Sequence, residues 1–218
     1  MKARLSIRQL MLNLLCIGAL LSSGFISITE DYWERQLLMH GKMNLPVDLV
    51  VQSQLTSCGE AAIVMAYNYV YPETRLDEHA VIRYAVNNGY YNESTYPFTS
   101  PENMFKIAGH YTNNVSTGRV ENPDEALDLL TTALIGGNPV IIDVVTLLGK
   151  PRSGAHFIVV TGLKLDPDNP NATRIYYNDP HLNRKRSSDW MGKEGIWNAW
   201  QNNGDPGGSG WWMMIYSP

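Results

Sequence analysis

Cysteine is scarce: the 218 residues contain 2, Cys16 and Cys58. Cys16 lies in an apolar N-terminal stretch with the marks of an export segment, so the mature domain keeps Cys58 alone. A lone cysteine cannot close an internal disulfide, which leaves an intermolecular partner or a reactive thiol. Paired-cysteine and His-x-x-His spacings are missing too, and no metal or cofactor is expected. Acidic residues are absent from the first 24 positions, which hold three of the 17 Lys+Arg and none of the 21 Asp+Glu. Without those positions the net charge is 14 − 21 = −7. That argues against nucleic acid or an anionic membrane surface as a partner, despite the local basic run Arg184-Lys185-Arg186. Internal repeats, low-complexity tracts and long linkers are also lacking. The remaining residues, about 190, suit one domain with a full hydrophobic core.

At the N-terminus, Lys2, Arg4 and Arg8 precede an apolar block over residues 10–21 that only Asn13 interrupts. Ser22, Ser23 and Gly24 follow. Positive, then apolar, then small is the order of a secretory signal, and the block is short for a bilayer span. Apolar character continues through Phe25 and Ile26, so the alternative is an uncleaved membrane anchor over residues 10–26. Either form places the rest of the chain outside the cytoplasm, periplasmic or extracellular. Leu15 stands where a lipoprotein would need a small residue before Cys16. The expected division is 1–24 signal or anchor, 25–44 lead-in, and 45–218 folded domain. Sequons start at Asn92, Asn114 and Asn171.

Helical signals dominate the first half of the domain. Ser57 and Glu60 read as a capping box opening a helix with Ala61, Ala62, Met65, Ala66 and Tyr69 at helical spacing. Residues 77–87 read as a second helix. Ser100-Pro101 and Asn122-Pro123 each combine a cap with an N1 proline and start two more. Residues 139–145, 156–165, 173–178 and 211–216 are β-branched or aromatic runs that read as strands, and residues 48–51 as a short one. The turn-rich Asp166–Ala172 segment joins two of them into an expected antiparallel hairpin. Helices first and an antiparallel sheet after give an α+β domain.

Cys58 falls in the first turn of the helix, where unpaired N–H groups and the macrodipole favour a negative charge. Gly59 keeps bulk away from the sulfur. Gln52, six residues upstream, is near enough to bring its amide beside it, and with the Cys58 N–H could hold the oxyanion of a tetrahedral intermediate. A thiol nucleophile needs a base, and histidine serves near neutral pH. Of the five histidines, His40 lies in the lead-in, and His79 and His110 lie in helices. His156 opens a strand, and the hairpin brings Asp179 (or Asn178) alongside to accept from its ring. His181 is the rival base, with Pro180 expected to turn it away.

The ordered segments Q-S-Q-L-T-S-C-G-E-A-A, P-V-I-I-D-V-V, G-A-H-F-I-V-V-T-G and Y-Y-N-D-P resemble the papain-like cysteine peptidases of the double-glycine leader (bacteriocin-processing) type, above all their stand-alone relatives. The resemblance covers residues 45–217, including I-W-N-A-W, similar to the family's helix before its last strand. It implies a papain-like fold, with the Cys helix packed on an antiparallel sheet carrying His and Asp. It also implies Gln52 as oxyanion residue, Cys58 as nucleophile, His156 as base and Asp179 as orienting acid. Glu60 stands where the family more often has Pro or Val, and the loop 89–98 and the R-S-S-D-W segment look individual, so substrate preference is not implied. The expected function is an exported cysteine hydrolase acting on a peptide, isopeptide or related amide bond, with a peptide or protein as substrate. The alternatives are an inactive papain-like binding or assembly protein, presenting its six tryptophans and twelve tyrosines, or an envelope-peptide amidase or acyltransferase.

Overall fold

A computed structural model of the protein describes residues 28–150, 154–166, 168–169, 172–182 and 184–217. The expected signal or anchor (1–24, 10–26) and the Asn171 sequon lie outside the described residues. Among the described residues, no helix is long and apolar enough to cross a membrane.

The chain runs α1 (Ile28–His40), β1 (Lys42–Asn44), α2 (Cys58–Val70), α3 (Glu78–Asn87), α4 (Pro101–Tyr111), β2 (Val115–Arg119), α5 (Pro123–Ile135), β3 (Val140–Val145), β4 (Ala155–Lys164), β5 (Arg174–Asp179), β6 (Arg184–Asp189), α6 (Ile196–Gln201) and β7 (Trp211–Ile215). Most helices lie in the first half, interleaved with β1 and β2, and α6 falls between β6 and β7; the strands form a seven-stranded antiparallel sheet of order β2-β7-β3-β4-β5-β6, with β1 added beside β4. The fold is the expected α+β class. Three helix starts follow their caps: Asp77, Ser100 and Asn122 each accept a backbone N–H, from Ala80, Asn103 and Glu125.

α2 is buried along its whole length from Gly59 to Asn68. A helix apolar on all sides belongs inside a domain, and α2 packs between β3, β4 and β7 on one side and α3 and α4 on the other. Its first turn is thereby fixed against the sheet. Gly59 allows that approach: a Cβ there would sit 2.6 Å from Met104 Sδ and 3.3 Å from Phe157. Its role is close packing of α2 rather than access to the sulfur.

β4 is the spine of the sheet. β3 flanks its first half and β1 its second, while β5 pairs along the other edge through a bulge between Val160 and Gly162. The β4–β5 hairpin is the one expected, and it sets the start of β4 beside the end of β5. Gly162 is required where β1 crosses, since a Cβ would meet the Met43 carbonyl and lie 2.6 Å from Asn44 Cα.

Three expectations are corrected. Residues 48–51 form no strand; just before them, Asn178 Nδ2 donates to the Val47 carbonyl at 3.1 Å. Much of the lead-in belongs to the fold as α1 and β1. The capping box does not form: Ser57 makes no side-chain cap bond, because its hydroxyl donates to Glu78 Oε1 at 2.9 Å, and Glu60 accepts instead from Thr99 at 2.7 Å.

Candidate active site

Cys58, His156 and Asp179 come from three elements and meet at one place. Cys58 is the first residue of α2, His156 the second of β4, and Asp179 the last of β5. His156 Nε2 donates to Asp179 Oδ1 at 2.8 Å, both side chains being buried. That bond leaves the other ring nitrogen available to Cys58, which lines the same cleft. Asp179 Oδ1 also accepts the His181 N–H at 3.0 Å, and Arg186 lies 3.8 Å from Oδ2.

The electrostatics favour a charged imidazole. Burial works against it, but the hydrogen bonds to Asp179 and Cys58 and their negative charges outweigh burial and hold the His156 proton up to about 10. Burial also opposes ionisation of Asp179. The His156 bond, its charge, the His181 N–H and Arg186 prevail and keep that carboxyl below its ordinary range. A sulfur at this helix start faces N–H groups that no side chain caps, because Ser57 is turned toward Glu78. Diverting the cap leaves those donors for an anion.

Gln52 lines the same cleft as Cys58 and His156. Its backbone N–H donates to the Pro180 carbonyl at 2.9 Å, tying the loop before α2 to the turn after Asp179. Its side-chain Nε2 donates to the Gln54 and Leu55 carbonyls, each at 2.8 Å. An oxyanion could be served only by exchanging one of these bonds. Of the other histidines, His40 and His79 are exposed, and exposed His110 stacks on Tyr84 with ring centroids 3.8 Å apart. His181 is exposed, its ring centroid 6.3 Å from that of His156.

Two groups that sequence did not single out shape the loop 52–57. Glu78, buried at the start of α3, accepts the Ser53 N–H at 3.0 Å and the Ser57 hydroxyl. Tyr91 hydrogen-bonds Thr56 at 2.7 Å and donates to Gln54 at 2.8 Å. Asp143 is a third: fully buried in β3, its Oδ1 accepts the His156 N–H at 3.3 Å. An acid inside the apolar run V-I-I-D-V-V was the available signal for it.

The cleft holds about 1100 Å³. Its floor is sheet, and its mouth carries the exposed side chains of Leu55 and Leu147. Cys58, His156 and Asp179 are among its lining residues.

The chain matches the Peptidase_C39 like family over residues 44–207. No curated protein matches it. A solved structure described as a double glycine motif protease from an AMS/PCAT transporter in complex with the leader peptide is similar, with a TM-score of 0.49 and 17% identity over 80% of this chain and 94% of that chain.

Proposed function

From the premise that the chain belongs to the Peptidase_C39 like family, we propose that it is an exported cysteine hydrolase that cleaves a peptide or related amide bond through Cys58, His156 and Asp179. The observation that carries this reading is the buried His156–Asp179 bond of 2.8 Å in the cleft that Cys58 also lines. A binding protein has no use for a protonated imidazole held against a sulfur inside a cleft.

Each step has a group to perform it. The Cys58 thiolate attacks the carbonyl carbon. The resulting oxyanion is met by the Cys58 N–H and by the Gln52 amide, which gives up one loop carbonyl to do so. His156 transfers its proton to the departing amine nitrogen as the C–N bond breaks, leaving an acyl-thioester. The now neutral ring takes a proton from water as that water attacks the thioester; the C–S bond then breaks, releasing the acid and leaving thiolate beside imidazolium for the next cycle. Asp179 keeps the ring oriented and stabilises its charged form.

Export rests on the basic, apolar and small-residue order of residues 1–24. Fusion of an export-dependent reporter after residue 218 is expected to give signal outside the cytoplasm; activity confined to a cytoplasmic reporter would defeat that part. Hydrolysis is tested with a peptide library and the purified protein. Cleavage by wild type that Cys58→Ala abolishes supports the enzyme. A biological activity that survives Cys58→Ala points to the inactive binding protein, and acyl transfer to an added amine in preference to water points to the transferase.

A further inference from the structure

A second, smaller pocket opens on Cys58 beside the main cleft. It is shared by Cys58, Gly59, Tyr96, Thr99, Phe157 and Asp205 and holds about 20 Å³. That is room for roughly one water-sized group. Asp205 is 7% exposed and Asp143 is fully buried. Asp205 Oδ1 and Asp143 Oδ2 have no donor among the described residues. The two side chains are neighbours, since a Cβ at Gly208 would meet Asp143 Oδ2 and lie 2.9 Å from Asp205 Cβ, and one shared proton is all they can offer one another. Burial and the Asp205 charge push Asp143 well up, and burial raises Asp205 to about 6 against the opposing bond from Asp143. Tyr96 lines the pocket with Asp205, and burial and both acids push its phenol up to about 12. Among the described residues, no lysine or arginine forms an ion pair with either acid.

Such a pair is costly to bury; the His156 N–H and charge ease that cost at Asp143, while no cation lowers Asp205. The pair is also more than β4 needs: Asp143 Oδ1 alone holds the His156 N–H. The turn 203–208 wraps the acids closely, with Asn203 donating to the Asp143 carbonyl at 3.0 Å and accepting the Asp205 N–H at 3.1 Å. Asp205 is therefore fixed, without a donor at Oδ1, and lines the space beside Cys58, with Asp143 as its buried neighbour.

We propose that this pocket is a subsite for a primary ammonium group of the substrate, held by Asp205 beside Cys58. An –NH3+ head is the size of the space; a planar guanidinium is not. The group comes from a peptide N-terminus or a lysine side chain. The subsite deepens the hydrolase reading, which supplies the substrate, but its primary test needs only a thiol at position 58.

That test compares the rates at which Cys58 is labelled by 2-aminoethyl methanethiosulfonate, whose ammonium lies two carbons from sulfur, and by neutral methyl methanethiosulfonate. The cation-to-neutral ratio is expected to fall about tenfold in Asp205→Asn, the effect of one charge-assisted hydrogen bond. Glu93→Gln, which removes an exposed acid from the loop carrying Tyr96, is expected to leave the ratio unchanged. An equal ratio in wild type and Asp205→Asn, or an equal fall in Glu93→Gln, overturns the proposal. If Asp205→Asn does not fold, wild type decides: methylammonium should protect Cys58 from the neutral reagent where tetramethylammonium at the same concentration does not, and equal protection overturns it. With peptide substrates, Asp205→Asn should lower kcat/KM only for the ammonium-bearing member of a matched pair. Loss with a free but not an acetylated N-terminus names the α-ammonium; loss with lysine but not norleucine names the side chain. An equal loss within both pairs overturns the subsite. If no peptide is turned over while the labelling ratio behaves as stated, the hydrolase reading fails and the subsite stands.

Discussion

Replacing Asp179 by Asn should damage the site far less than replacing it by Ala, and the structure says why. Oδ1 of Asp179 accepts from two donors, His156 Nε2 at 2.8 Å and the His181 N–H at 3.0 Å. An Asn side chain can satisfy both only with its carbonyl oxygen in that place, so the backbone donor selects the useful orientation. Shape and acceptor survive while the charge is lost. A hydrogen bond to a charged partner is about twice as strong as a neutral one, so the loss is about 1.4 kcal/mol, or roughly tenfold in kcat/KM. The upper limb of the pH–rate profile should also move down by about one pH unit. Asp179→Ala removes the acceptor and strands a buried ring N–H, a loss of about 3–4 kcal/mol and 10²–10³ in rate. The assay is kcat/KM against pH for a cleaved peptide in wild type and both variants. If Asp179→Asn is as inactive as His156→Ala, or Asp179→Ala is no worse than Asp179→Asn, the assignment of Asp179 as orienting acid is wrong.

Gln52→Ala should lower kcat by about 10²–10³ with little change in KM, since the amide would bind charge present only in the transition state; a rise in KM at constant kcat would make Gln52 a substrate contact instead. The pH dependence of stability follows from the two shifts. The His156 contribution is whole below its ordinary value of 6.5 and fades as pH rises through about 10, while that of Asp179 is present above the ordinary carboxylate range and fades as pH falls through its depressed value. The Tm difference between wild type and His156→Ala should therefore shrink toward both extremes, and a difference constant from pH 6 to about pH 10.5 would refute the ion pair. Gly162→Ala forces a Cβ to within 2.6 Å of Asn44 Cα and should cost about 3 kcal/mol in denaturant unfolding. An unchanged midpoint would mean that β1 does not cross there.

The site was legible in sequence because its members lie in segments with strong local signals. His156 and Asp179 sit at the two ends of a hairpin whose strands are β-branched and whose connection is rich in Asp, Asn and Pro. That pattern fixes which ends meet. The edge strands were not legible: β2 is V-S-T-G-R and β6 is R-K-R-S-S-D, polar stretches without alternation that become strands only because a neighbouring strand offers unpaired backbone groups. α1 was missed for a related reason, since I-T-E-D-Y-W-E-R-Q-L-L-M-H shows no sustained apolar stripe. At the head of α2, local propensity misled. Ser-x-x-Glu favours a capping box, but Glu78 lies 21 residues on and takes the Ser57 hydroxyl, while Thr99, farther still, takes Glu60. Burial and the neighbouring Glu78 charge raise the Glu60 carboxyl to about 7 against those bonds, an expense that only tertiary packing imposes. Asp143 and Asp205 are brought together by sheet and turn across 62 positions, a distance over which no local pattern speaks.

The most direct test is to incubate the purified protein with a thiol-directed peptide-amide activity probe and locate the label by mass spectrometry. Wild type is expected to carry one label, on Cys58, with labelling strongly slowed in His156→Ala, slowed about tenfold in Asp179→Asn, and absent in Cys58→Ala. Failure of the probe to label Cys58, or labelling at the same rate when His156 is removed, would contradict the account of Cys58 as a nucleophile activated by His156.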